Sequence, residues 1–208
     1  MPERLAQNFP LFPLGLVVLP TEVVPLHIFE ERYKTMMGEC LARDQEFGIV
    51  WLSDDGLREV GCACRIDRVL ERAADGRMNL LARGTRRFRV LERLGHLPYP
   101  AAVVEFLADQ VEPIDGDMIR SAQQSYAELV RRATNREPET EDLARMSAYE
   151  MAATVDFGLD AKQGLLDLRS ESARLRLVTR LFRAAIKRLD FVDRAQARAK
   201  SNGKVRFN

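Results

Sequence analysis

The chain has 208 residues, 46% hydrophobic and 30% charged, and a formal net charge of +1. This is the composition of a globular protein with a core, and it excludes a disordered chain, which combines fewer apolar residues with a larger net charge. The length fits one large domain or two small ones, and the longest apolar stretches, such as Leu14 to Leu19, fall far short of the ~20 residues that cross a bilayer.

The N-terminus, Met1-Pro-Glu-Arg-Leu-Ala-Gln-Asn, lacks the apolar centre of a secretory signal. Three cysteines, Cys40, Cys62 and Cys64, are an odd count that suits a reducing compartment better than a disulfide framework. A cytoplasmic protein without a membrane partner is therefore expected. The charge is unevenly spread. Glu105 to Asp160 holds 13 acidic and 5 basic residues, a net of −8, and Arg169 to Asn208 holds 12 basic and 3 acidic, a net of +9. The basic stretch is either a surface for nucleic acid or an acidic partner, or a helix whose charges are offset by the acidic region.

In chain order, Leu11 to Leu19 is an apolar run punctuated by Pro13 and Gly15, and reads as a strand. In 28–43 the apolar residues Phe29, Tyr33, Met36, Met37, Cys40 and Leu41 share one helical face, with Glu30 and Glu31 in the first turn. Phe47 to Leu52 is a short strand. Cys62, Cys64 and Ile66 alternate with Ala63, Arg65 and Asp67, Asp75-Gly76 makes a turn, and Met78, Leu80 and Ala82 alternate again. A further strand is expected after Gly84 through Phe88 and Val90, and a last one through Ala102, Val104 and Phe106. Short strands at this spacing predict a barrel or sandwich.

The second half has helical periodicity. Ile114-Asp115-Gly116-Asp117 opens one helix, which runs through Val130, and Arg136-Glu137-Pro138 breaks it. Another starts at Thr140 or Glu141 and reaches Val155, followed by a turn with Gly158 as its C-cap. A short helix carries Leu165, Leu166 and Leu168. Ser170 caps the last long helix, whose face is Leu175, Val178, Leu181, Phe182, Ala185, Ile186 and Leu189, and whose tail is expected to fray beyond Val192.

Catalytic chemistry is hard to place on these residues. Gly203-Lys204 lacks the remaining residues of a phosphate loop, and the only two histidines, His27 and His96, form no metal pair. Cys62 and Cys64 share one face of a strand and suit either a metal or redox pair or a tight core; no second CxC or CxxC supplies further ligands, which favours the core. His27 is a base without a nucleophile beside it, or a packing residue. Trp51 and Tyr99 are candidate binding aromatics, with core packing as the other reading. Arg86-Arg87 beside Phe88 suits RNA or a solvent-facing strand. No catalytic residue, metal ligand or cofactor is assigned.

One ordered series of motifs is more specific. Phe9-Pro-Leu-Phe-Pro-Leu14, Val18-Leu19-Pro20, and Pro25-Leu-His-Ile-Phe-Glu30 with Arg32-Tyr33 resemble the start of the Lon protease N-terminal domain. The likeness continues through Phe47-Gly48-Ile49-Val50, Val60-Gly61, Asp75-Gly76-Arg77, Arg87-Phe88-Arg89-Val90 and Lys162-Gln163-Gly164-Leu165-Leu166 to Arg174-Leu175. At Pro20-Thr21-Glu22 the chain departs from the Pro-Gly common in the family. It ends at Asn208, without counterparts of the ATPase and serine–lysine protease domains of full Lon proteases, so a stand-alone, non-catalytic member is expected.

The resemblance implies an α+β fold: a PUA-like β-barrel subdomain with one inserted helix over 1–111, and a C-terminal α-helical bundle over 112–208. It implies a substrate-binding or adaptor module for unfolded or partner polypeptides, serving a protease or chaperone system, with Trp51 and Tyr99 as candidate polypeptide-binding residues. RNA binding through the PUA-like fold and the basic C-terminal helix is the alternative.

Overall fold

The computed structural model describes residues 4–202 and divides the chain into two compact units. The first runs to Val111 and takes back Ala152–Ser170; the second is Glu112–Met151 with the chain from Glu171 onward.

The first unit contains strands β1 (Leu5–Leu14), β2 (Val23–Ile28), β3 (Phe47–Ser53), β4 (Gly56–Leu57), β5 (Val60–Arg72), β6 (Met78–Leu94) and β7 (Ala101–Phe106), with helix α1 (Glu31–Arg43) between β2 and β3. The sheet runs β1-β7-β6-β5-β3, and β3 pairs back onto β1 in parallel, Leu11 opposite Gly48 to Leu14 opposite Trp51. The pairing thus closes a five-stranded barrel, which removes its open edges. β4 hangs from β3, and β2 pairs with β6 outside the barrel path.

Phe9, Leu11, Val50, Ala63, Phe88, Ala102 and Val104 fill the barrel. Phe88 meets Phe9 edge-on at 5.4 Å, and small residues make room for it: a Cβ on Gly48 would lie 2.4 Å from the Phe88 ring. Cys62 and Cys64, which alternate with Ala63 and so face away from this cluster, are also buried, as is Cys40 on α1. Burial pushes the Cys40 thiol up to about 12, and the hydrogen bond with Cys62, followed by burial, raises that of Cys64.

Three strand expectations change. β1 ends at Leu14, and Val17 to Leu19 are buried without being a strand, because an apolar run reports burial rather than backbone state. The expected break at Gly84 is absent, and β6 is one strand of 17 residues. Gly84 is instead a crossing point, where its N–H donates to the Glu22 carbonyl and its carbonyl accepts from Thr21 N–H. β2 was not foreseen, since Pro25 interrupts its pattern; Pro is tolerated there because β2 is an edge strand.

Thr21, in the tripeptide that departs from the family's Pro-Gly, has φ +73°. That left-handed conformation is costly for a β-branched residue and free for glycine. Thr21→Gly is expected to raise stability by about 1 kcal/mol, read as a higher midpoint in urea; a lower midpoint would show that the Thr21 side chain contributes more than its backbone strain costs.

Also in the first unit, α5 (Leu159–Asp167) is tied to the barrel by polar contacts. Gln163 donates to the Val60 carbonyl at 3.2 Å, and Lys162 pairs with Glu22 at 2.5 Å. Gly158, expected to close a helix, opens α5 instead, at φ +81°.

The second unit contains α2 (Gly116–Thr134), α3 (Thr140–Arg145) and α6 (Glu171–Asn202), with most of α4 (Ala148–Ala153). Asp115 caps α2 by accepting from Asp117 N–H, and Asn135 ends it at φ +56°. The single helix expected from Thr140 to Val155 is two, because Ser147 and Glu150 form a capping box: Ser147 N–H donates to Glu150 Oε2 at 2.7 Å, and Glu150 N–H to Ser147 Oγ at 3.3 Å. Arg174 is 2% exposed, lies over Tyr149 at 4.4 Å and donates to Glu171, whose other oxygen accepts from Ala148 N–H. Tyr126 packs against Phe182 between α2 and α6. The helix continues past Val192 to Asn202, a stretch rich in the helix formers Ala and Arg, where fraying was expected; the last six residues of the tail lie outside the described ones.

Candidate functional site

Beyond the barrel, β2, the first half of β6 and the second half of β5 form a three-stranded antiparallel sheet. Residues opposite each other in the register share a face. Leu26, Ile28, Met78, Leu80 and Ala82 are buried on the inner face. The outer face carries Val23 opposite Arg83, Pro25 opposite Leu81 and His27 opposite Asn79, with Arg68 and Glu71 beside them from β5.

The register of β5 shifts between Val69 and Glu71, a bulge that leaves Leu70 unpaired. Leu70 is 54% exposed and lines a concavity of about 400 Å³ together with Pro25, His27, Glu71 and Asn79. Val23, 38% exposed, extends the apolar surface. Among the described residues β2 pairs only with β6, and β5 from Arg65 to Arg72 pairs only with β6, so both borders of this small sheet lack a neighbouring strand.

Polar groups frame the apolar centre. At one end His27 Nδ1 lies 2.6 Å from Asn79 Oδ1, and Asn79 Nδ2 donates to Glu71 Oε2 at 2.9 Å. With the amide so oriented, Nδ1 carries the proton and donates. No Ser, Thr or Cys lines this concavity, so His27 acts as a structural link across the strands and stacks on Phe29 at 5.7 Å. At the other end Arg83 donates to Asp67 at 3.2 Å and to the Thr21 carbonyl at 3.4 Å. An apolar patch on a polar-rimmed, open-edged sheet can take an extended chain by burying its apolar side chains, with backbone hydrogen bonds available at either border.

Trp51 and Tyr99 lie elsewhere in the first unit. Trp51 is half-buried in β3, with the Arg58 guanidinium 5.0 Å over its ring. Tyr99, between β6 and β7, is 6% exposed and donates its hydroxyl to Glu39 Oε2 at 2.9 Å. Burial, then this bond to Glu39, pushes its pKa up to about 12. A concavity of about 410 Å³ is lined by Leu52 and Pro100, the residues that follow them, and by Leu11, Tyr33 and Leu57. Neither aromatic lines it directly.

Arg86 and Arg87 are not free for phosphate. Arg87 is 3% exposed and donates to the Leu166 carbonyl at 2.8 Å and to Asp109 at 2.7 Å. Arg86 is paired with Glu46 at 2.7 Å and lies over Phe106. The reading of this pair as solvent-facing strand arginines also fails for Arg87, because α5 covers it. In the second unit the expected offset of charges is reversed at one point, where Arg132 of the acid-rich region pairs with Asp190 of the basic one. Among the described residues no group of three His, Cys, Asp or Glu side chains could hold a metal, and no helix is long and apolar enough to cross a membrane.

Comparison with known proteins agrees with this architecture. The chain is 29% identical over 214 residues to Lon protease 2 of Thermus thermophilus, covering 94% of this chain and 26% of that protein. It is 27% identical over 198 residues to Lon protease 2 of Myxococcus xanthus, covering 86% and 24%. The chain thus spans about a quarter of the length of these curated relatives. Among solved structures, a Lon N-terminal domain protein from Xanthomonas campestris superposes with a TM-score of 0.63 at 24% identity, covering 82% of this chain and 96% of that one. The N-terminal domain of a Mycobacterium avium complex Lon protease gives 0.59 at 21% identity, covering 85% and 98%. These two likenesses establish the fold. The family model described as the ATP-dependent protease La (LON) substrate-binding domain matches residues 8–184, most of the sequence, and the chain belongs to that family.

Proposed function

We propose that this protein is a non-catalytic polypeptide-recognition module that holds apolar segments of unfolded or partner proteins on the outer face of the β2–β6–β5 sheet. The observation that carries this reading is the exposed Leu70, delivered by a bulge onto the same open-edged face as Pro25, Leu81 and Val23. An apolar side chain buried there gains about 25 cal/mol per Å² removed from water. The family's description as a substrate-binding domain supports the same class of ligand. A protease or chaperone system in the cytoplasm is the proposed setting, consistent with three reduced thiols. RNA binding is the weaker reading, because Arg86 and Arg87 are already paired.

The test is fluorescence anisotropy of a labelled, permanently unfolded protein at low and high salt. Saturable binding that survives salt is expected, since apolar burial is not screened as phosphate contacts are. Leu70→Asp and Leu81→Asp are each expected to weaken it by about 10-fold, the equivalent of losing one partly buried leucine. Trp51→Ala and Tyr99→Ala probe the concavity of about 410 Å³ in parallel. A loss confined to those two variants would move the site there, and no binding at either salt would end the polypeptide reading.

A further inference from the structure

A separate cavity of about 490 Å³ opens in the first unit between the β5–β6–β7 face and residues 107–108 and 167–169. Its apolar floor includes Val60, Phe106 and Leu107, and five arginines and two carboxylates line it. Most of these charges are already paired. Arg4 holds Glu105 at 2.7 Å, Arg86 holds Glu46, and Arg87 is taken by Asp109 and the Leu166 carbonyl. Asp167 accepts from the Gln163 amide at 3.0 Å.

Arg89 and Arg169 remain. Both are exposed, and among the described residues neither has an ion pair. Arg89 stands opposite Glu105 in the β6–β7 register, but that carboxylate is already engaged by Arg4. Even with Glu46 and Asp109 counted, five guanidinium groups face four carboxylates, an excess of one positive charge beside an apolar floor. Two unpaired guanidinium groups beside an apolar floor suit a ligand that joins a negative charge to an apolar group.

We propose that this cavity binds an organic carboxylate that carries an apolar side chain, the chemistry shared by an N-acyl amino acid and a polypeptide C-terminus. Arg89 and Arg169 hold the carboxylate, and Phe106 and Leu107 receive the apolar group. The site is distinct from the β2–β6–β5 face, so it stands or falls independently of the function proposed above.

Isothermal titration of the full chain with N-acetyl-phenylalanine, a tetrapeptide ending in phenylalanine, and the C-terminal amide of each tests this. Each acid that binds is expected to lose roughly 10-fold or more in affinity on amidation, as for one charge-assisted contact. Arg89→Gln and Arg169→Gln are each expected to lower that affinity by about as much, with the melting temperature unchanged because neither arginine is paired. Binding by the peptide identifies a chain end as the ligand, and binding by the small acid alone a free acyl amino acid. Equal affinity for acid and amide, undiminished affinity in both variants, or no binding by either acid would overturn the proposal.

Discussion

Phe88→Ala is expected to cost about 4 kcal/mol of stability, within the range for truncating a buried aromatic. The ring is fully buried at the centre of the barrel, edge-on to Phe9, with Gly48 and Gly61 beneath it. The walls around it are strands hydrogen-bonded on both sides in a closed sheet. Collapse into the vacated volume would require breaking ladder bonds, so most of the cavity would remain. Trp51, the only tryptophan, lies in β3 of the same barrel and reports its unfolding by fluorescence. A fall in the urea midpoint with an unchanged slope is the expected result. A loss below about 1 kcal/mol would mean that the barrel interior can repack, against the tight fit of Phe88 over two glycines.

Gly84→Ala is expected to cost about 3 kcal/mol, at the upper end for overpacking, and to weaken polypeptide binding as well. A Cβ there would lie 2.2 Å from the Leu19 carbonyl oxygen and 3.0 Å from Cys62 Sγ. The obstacle is backbone, which cannot rotate aside as a side chain can. The turn from Leu19 to Glu22 is clasped to Gly84 by two backbone bonds of 2.8 and 2.9 Å. Glu22 braces it further, accepting from Leu19 N–H and pairing with Lys162 of α5. Displacing this turn displaces the start of β2 at Val23, and with it the outer face that carries the proposed function. Thermal melting and the anisotropy titration should therefore shift together. Normal stability with normal binding would show that the crossing tolerates a methyl group, and stability loss alone would separate β2 from the binding surface.

The two predictions also mark what was legible in the chain. The alternation of Cys62, Cys64 and Ile66 and of Met78, Leu80 and Ala82, the helical face of Tyr33, Met36, Met37 and Cys40, and the leucine-rich face of the last helix determined most elements and the order of strands before helices. These signals are local, because side-chain direction follows the backbone period within a few residues. Ordered motifs along most of the length identified the family. Ser147-Ala-Tyr-Glu150 was also readable as a capping box and would have divided the helix expected through Val155.

Other features depend on partners far apart in the chain. Closure of the barrel rests on β1 pairing with β3 in parallel, and the return of Ala152–Ser170 to the first unit is what buries Arg87. The outer face of β2 was hidden because Pro25 breaks the apolar rhythm, and the exposure of Leu70 depends on a one-residue bulge in β5. Periodicity tells which residues share a face of a strand. Which face is covered is decided by register and by what packs against it, and a single-residue shift reverses the answer. For that reason the interior of this protein was written largely in its local pattern, and its candidate binding surface emerged only from the assembled sheet.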